Sequence, residues 1–191
     1  WYMEGVASMA AVLRQHGHEV ALYHLTEPPA SDEAFVAEVQ RHQPGLIGFI
    51  TMTREYPQVK HFARLLKGRT DAKVISGSYH PTTMPEEVIQ TEGIDMCCRG
   101  EGELALLELV EKMDAGEDYT GVHSIWVKEA NGTIHRNPVR PLLEDIDELP
   151  LPDFDIFNFS KLLGTQIKTG VVILSRGCPY SCSYCSNKKM R

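Results

Sequence analysis

Leu46-Ile47-Gly48-Phe49-Ile50-Thr51-Met52-Thr53 is the stretch on which the fold turns. Its first five residues are a nearly continuous apolar run, the composition of a strand covered on both faces. Thr51-Met52-Thr53 reads as the loop at its carboxyl end. Downstream, Pro57 suits a first helical turn, and Val59, Phe62, Ala63 and Leu66 recur at helical spacing. The unit then repeats. A strand over 72–76 leads into the loop Gly77-Ser78-Tyr79-His80-Pro81-Thr82-Thr83, which ends in a capping box of Thr83 with Glu86 and a short helix over 84–90. A strand over 94–98 leads into Arg99-Gly100-Glu101-Gly102-Glu103 and a helix with Leu106, Leu109, Val110 and Met113 on one side, ended near Gly116.

Upstream, Val6, Met9, Ala10 and Leu13 mark an amphipathic helix stopped at Gly17. Residues 18–25 alternate, with Val20, Leu22 and His24 on one side, and predict a strand. Ser31 or Asp32 caps a second helix built on Phe35, Val36 and Val39 and closed by Pro44. Alternation of helix and strand implies an α/β fold, a Rossmann-like or flavodoxin-like parallel sheet with helices on both faces. Such a sheet ordinarily opens with a strand, and in the 2-1-3-4-5 order that strand is central. This chain opens in a helix, so we expect the inside of a longer protein.

Beyond the sheet, Ile125-Trp126-Val127 and Thr133-Ile134-His135 around Asn131-Gly132 predict a hairpin. Residues 140–159 are acidic and interrupted by prolines, and they should pack along a surface because Leu142, Ile146, Leu149, Phe154, Ile156 and Phe157 need cover. The expected division is a sheet domain over 1–121, hairpin and linker over 122–165, and the start of a further domain over 166–191.

With 42% apolar and 24% charged residues in 191, a sizeable core can form. The net charge of -7 and the lack of a basic stripe argue against nucleic acid. No apolar run approaches the ~20 residues of a membrane span and there is no signal-peptide layout, so the expected location is the cytoplasm. Five cysteines, three of them clustered, do not form the even, dispersed set of a disulfide framework. Cys97 and Cys98 sit in an apolar stretch and read as buried side chains.

The clustered three, Cys178, Cys182 and Cys185, form a C-x3-C-x2-C array after the β-branched run Val171-Val172-Ile173-Leu174, which predicts a buried strand. Soft sulfur ligands on a short loop select zinc or an iron-sulfur cluster. Three ligands are one short of a closed tetrahedral set. A 4Fe-4S cluster so held keeps one iron free; a structural zinc loop would borrow a fourth ligand such as His80 or His135, and a redox dithiol would leave one cysteine spare.

With its preceding strand and with Tyr184 before the third cysteine, the array resembles that of the radical S-adenosylmethionine enzymes. The wider set (Gly17-His18-Glu19-Val20, the Gly-x-x-His-Pro-Thr loop, the Arg-Gly-Glu-Gly-Glu turn, the acidic linker and the array) resembles the cobalamin-binding members of that family over nearly the whole chain. The resemblance implies a corrinoid on the sheet domain and a 4Fe-4S cluster on Cys178, Cys182 and Cys185 at the start of a truncated partial (β/α) barrel. It implies cofactor contacts by Thr51, Met52, Thr53, Ser76, Gly77, Ser78, His80, Pro81, Thr82, Arg99, Gly100, Glu101, Gly102 and Tyr184. Ser78 stands where the family's loop carries a second glycine. The implied chemistry is reductive cleavage of S-adenosylmethionine and methyl transfer from cobalamin to an unactivated carbon or phosphorus of a small molecule; some members perform cyclisations. A one-electron reductant such as flavodoxin or ferredoxin is the implied partner, and catalytic groups are expected outside this stretch. The alternative is a non-catalytic corrinoid- or nucleotide-binding module with a structural zinc loop.

Overall fold

The computed structural model describes residues 3–25, 29–162, 173 and 175–189. Its centre is a five-stranded sheet in the order β1 (Leu46–Ile50), β2 (Lys73–Gly77), β3 (Met96–Cys98), β4 (Ile125–Lys128), β5 (Ile134–His135). β1, β2 and β3 run parallel, and β4 and β5 continue antiparallel. The helices are α1 (Glu4–Gln15), α2 (Asp32–His42), α3 (Tyr56–Leu66), α4 (Tyr79–Thr83), α5 (Pro85–Ile89) and α6 (Glu103–Ala115).

The two-residue period of the strands sorts the core. Val74, Cys97 and Trp126 face α3 and α5, where they meet Tyr56, Val59, Ala63, Val88 and Ile89. Their neighbours Ile75, Met96, Cys98, Ile125 and Val127 face the opposite way, onto Ala105 and Leu109 of α6. Both faces are therefore covered, and each fully buried aliphatic side chain contributes about 1.5–3 kcal/mol. α2 packs on α3, with the Phe35 and Phe62 rings stacked at 4.2 Å. α1 packs on α6 through Val12, Leu13 and Leu107. Caps follow the sequence: Ser31 Oγ accepts from Ala34 N–H, and Gly116 closes α6 in the left-handed conformation.

Several sequence expectations need correction. Residues 18–25 form no strand, although their alternation is used: Val20 packs with Val12 and Leu13, Leu22 with Ala7, and Leu25 with Phe35. A strand needs a ladder partner, and none of the described residues pairs with this segment. The same holds on the outer side of β1, whose one ladder neighbour among the described residues is β2. β1 is accordingly half-buried along its open edge, with Gly48 exposed, while Ile47 and Phe49 pack toward α2 and α3 and Leu46 toward the α6 side.

The hairpin is part of the sheet. Cys97 pairs with Trp126 and Cys98 with Ile125, so the sheet is mixed, not purely parallel. The Thr83–Glu86 capping box does not form. Residues 79–83 are already helical, and Thr83 Oγ1 donates back to the carbonyls of Tyr79 (3.0 Å) and His80 (3.2 Å). The linker keeps only part of its expected cover. Phe157 and Leu162 are buried against Ala7, with Phe154 and Ile156 beside them, while Leu142 and Ile146 are exposed. Short 3-10 turns capped by Asp145 and Asp153 hold this segment near α1 only intermittently; Asp153 N–H reaches the Ala7 carbonyl at 3.0 Å and its carboxylate pairs with Arg14. Of the strand expected over 171–174, all but Ile173 lies outside the described residues, and Ile173 has no regular structure. Among the described residues no helix is long and apolar enough to cross a membrane.

Candidate functional site

In an open parallel sheet the loops at the carboxyl ends of the strands collect on one edge. Here they are stitched into one shelf. Thr51 N–H donates to the Gly77 carbonyl (2.9 Å), and the Thr51 carbonyl accepts from His80 N–H (3.0 Å). The hydroxyls of Thr51 and Ser76, both fully buried, share a hydrogen bond of 2.8 Å. Thr82 Oγ1 donates to the Ser78 carbonyl (2.8 Å) and accepts from Gly100 N–H (3.0 Å), which ties the second loop to the third. These hydroxyls are satisfied within the protein, as buried polar groups must be. Pro81 is buried beneath them, its carbonyl 3.6 Å from Cys97 Sγ.

His80 is buried as well. Its ring lies 4.2 Å from that of Tyr56, and Nδ1 is 3.3 Å from Thr53 Oγ1. Its Nε2 has no hydrogen-bond partner and lies 3.8 Å from Glu87 Oε2. The parts of the shelf left accessible are Met52, Thr53, and the half-buried segments 77–79 and 99–102.

Ser78 adopts φ +90° and ψ -152°, a region that glycine enters freely and other residues enter at about 1–3 kcal/mol. Its hydroxyl touches Met52 Sδ at 3.7 Å, a weak compensation. Ser78→Gly should therefore stabilise the protein by about 1 kcal/mol after the added entropy of the unfolded glycine is subtracted. Thermal unfolding would register roughly 2–4 °C. A lower melting temperature for the variant would contradict the assignment of strain.

The third loop divides its charges. Arg99 places its guanidinium 5.0 Å from the Trp126 ring centre, and Arg136 approaches the same ring at 5.5 Å while gripping Glu86. Gly100 has φ +75°, and a Cβ there would stand 2.9 Å from Val139 Cγ1. Glu101 and Glu103 face Arg176, which belongs to the cysteine loop: Nη1 is 3.5 Å from Glu101 Oε1 and Nη2 is 2.7 Å from Glu103 Oε1. Nη2 also reaches Ser8 Oγ at 3.3 Å. Burial pulls the Arg176 pKa down, but the hydrogen bond and charge of Glu103, with Glu101 behind them, outweigh it and leave the pKa above its ordinary value. A second link joins Tyr79 Oη to Ser186 Oγ. Neither link was legible in the sequence, because no local periodicity connects residues so far apart.

All five cysteines are free. Cys178 and Cys185 are half-buried and Cys182 is exposed, with Cys185 N–H bonded to the Cys182 carbonyl (3.1 Å) in a turn. Tyr184 is 91% exposed. Among the described residues no group of three or more His, Cys, Asp or Glu side chains is placed to hold a metal ion, so the three thiols are not gathered into a ligand set. The donor chemistry, three accessible thiols on one short loop, still suits a soft metal centre. His135 lies on β5 beside Glu129 (3.5 Å) and His80 is enclosed by Tyr56, so the structure assembles neither as a fourth zinc ligand. Cys97 and Cys98 are buried, and burial, with lesser contributions from Cys98 and Glu103 respectively, pushes each thiol up to about 12.

A profile described as the B12 binding domain matches residues 1–110. An uncharacterized methyltransferase of Pyrococcus horikoshii is 30% identical over 96% of this chain and 40% of its own length. An anaerobic magnesium-protoporphyrin IX monomethyl ester cyclase of Rubrivivax gelatinosus is 27% identical over 99% of this chain and 35% of its own length. The chain thus spans well under half of these relatives. Among solved structures, the cobalamin-dependent S-adenosylmethionine radical enzyme OxsB, with aqua-cobalamin and S-adenosylmethionine bound, superposes with a TM-score of 0.79 at 19% identity, over 96% of this chain and 26% of that one. At that identity the likeness establishes a shared fold.

Proposed function

The chain belongs to the B12-binding domain family, and from that membership we propose that it is part of a cobalamin-dependent radical S-adenosylmethionine enzyme, most simply a methyltransferase. The observation that carries the reading is the seating of the C-x3-C-x2-C loop against the shelf of the sheet through Arg176 and Tyr79. A structural zinc loop has no need of that position, whereas two cofactors that act together must lie side by side.

In this reading Met52, Thr53, Gly77, Ser78, Gly100, Glu101 and Gly102 face the corrinoid, while Thr51, Ser76, His80, Pro81, Thr82 and Arg99 set the loops from below. The fit rests on the shelf itself. Its inward hydroxyls are already partnered, Thr51 with Ser76 and Thr82 with the Ser78 carbonyl and Gly100 N–H, which leaves the remaining backbone and the Met52 thioether toward the ligand. Cys178, Cys182 and Cys185 would hold a 4Fe-4S cluster, with Tyr184 beside bound S-adenosylmethionine. Once bound, these groups supply one-electron cleavage of a sulfonium and a transferable methyl. The chain's own part is to bind and orient: the hydrogen bonds between loops fix the shelf, and the ion pair of Arg176 fixes the cysteine loop to it.

The substrate is a small molecule, the reductant a flavodoxin- or ferredoxin-like protein, and the setting the cytoplasm. Cyclisation is the second reading, favoured by the likeness to the Rubrivivax protein. Both are tested by purifying the full-length protein without oxygen, reconstituting it with iron and sulfide, and titrating it with hydroxocobalamin. About four irons per chain and saturable corrinoid uptake are expected. Stoichiometric zinc without iron, or uptake of a flavin in place of the corrinoid, would overturn the reading.

A further inference from the structure

We propose that Arg176 is a positioning residue: paired with Glu103 and Glu101, it anchors the cysteine loop on the shelf and sets the separation of the two cofactors. The inference rests on the reading given under Proposed function. Its starting point is Glu103, the first residue of α6, whose side chain is only 5% exposed. The other carboxylates in ion pairs are far wetter, for instance Glu86 at 56% and Glu33 at 75%, where pairing contributes little. A carboxylate as dry as Glu103 has lost its hydration and needs a cation at hand. That cation comes from the cysteine loop. The planar guanidinium spans Glu103, Glu101 and the Ser8 hydroxyl, and so ties one loop residue to α6, to the turn after β3 and to α1 at once.

The placement along the chain makes the anchor specific. Arg176 lies two residues before Cys178, and Ser186, which bonds Tyr79, lies directly after Cys185. The array is therefore slung between two attachment points, one on the loop after β3 and one on the loop after β2. Glu101 and Gly102 belong to the same turn that closes one side of the shelf, so a displacement of Arg176 would move the cysteines relative to it. A lysine would satisfy a single carboxylate from a point charge and hold the loop less firmly.

The test uses the full-length protein, loaded anaerobically with cluster and cobalamin and reduced until both are paramagnetic. Pulsed electron paramagnetic resonance then reads the dipolar coupling between cluster and cobalt(II). The parent should give a resolved coupling; Arg176→Met, at equal iron and cobalamin content, should lose it, and Arg176→Lys should recover it in part. Retention of the parental coupling by Arg176→Met would overturn the proposal. If Arg176→Met fails to load, Glu103→Gln, which removes the charge and keeps the shape, should show the same loss, and parental coupling in that variant would overturn the proposal equally. Hydrogen exchange on the cofactor-free chain gives an independent reading: Arg176→Met should speed exchange across 175–189 and leave β1, β2 and β3 unchanged, and equal exchange in parent and variant overturns the anchor. Should the parent itself bind neither iron nor cobalamin, the functional reading fails, while exchange still decides whether Arg176 docks the loop.

Discussion

Gly93→Ala should destabilise the fold by more than about 4 kcal/mol. Gly93 turns the chain from α5 into β3 at φ +83°, a conformation that an L side chain resists. The larger obstacle is space. A Cβ at this position would stand 2.1 Å from the Ala63 carbonyl oxygen and 2.5 Å from its carbon, both backbone atoms in the middle of α3. No rotamer change can relieve that overlap. Either α3 moves off the sheet, which opens the cluster of Val59, Ala63, Val74 and Ile94, or the turn moves and withdraws Ile94, itself 1% exposed. Each route costs more than about 4 kcal/mol, a large part of the roughly 5–15 kcal/mol that holds a domain of this kind together. Urea unfolding followed by circular dichroism would measure it. A variant within about 1 kcal/mol of the parent would mean that the turn does not press on α3 in this way.

Replacing any one of Cys178, Cys182 or Cys185 by alanine should lower the iron of the reconstituted full-length protein from about four per chain to near zero, and hydroxocobalamin uptake should survive. A cluster held by three thiolates has no spare protein ligand, whereas the loops of the shelf are tied to one another by their own hydrogen bonds, Thr51 to Ser76 and Thr82 to Ser78 and Gly100. Cys97→Ala and Cys98→Ala are the controls. Their sulfurs face opposite sides of the sheet, inside the clusters around Val74 and around Met96, and their removal should trim core packing without touching iron. Iron content and the visible spectrum separate the two groups. Undiminished iron in Cys182→Ala, the exposed member of the set, would refute the ligand assignment.

The repeating strand, loop and helix was legible because apolar residues recur at the period of each element: Leu46 to Ile50 as a run, then Val59, Phe62, Ala63 and Leu66 along α3. Helix boundaries were equally plain, a start at Pro57 and stops at Gly17 and Gly116. The misreadings share one cause, since pattern reports which side is apolar and not what lies against it. Residues 18–25 alternate like a strand and half-bury the alternating side chains, but no ladder forms beside them. Thr83 and Glu86 have capping-box spacing, yet the helix that begins at Tyr79 has already claimed the Thr83 hydroxyl. The hairpin was visible through Asn131-Gly132, while its partner was not, because only the folded sheet brings Trp126 opposite Cys97. For the site, residue types and loop positions were readable. The bonds that unite the loops, from Thr51 to Ser76 and from Thr82 to Gly100, and the reach of Arg176 to Glu103 are long-range and leave no local trace.

Burial of Cys97 and Cys98 also decides what air does to this polypeptide. Oxidation to sulfenic and then sulfinic acid begins at the thiolate, and these two sulfurs remain almost wholly protonated at any physiological pH. Damage by peroxide is thereby steered to the accessible trio, Cys178, Cys182 and Cys185. The sheet core would outlast oxidation of that loop: at the sulfenic acid or disulfide stage the three sulfurs are recovered by thiol reductants, whereas a sulfinic acid is not.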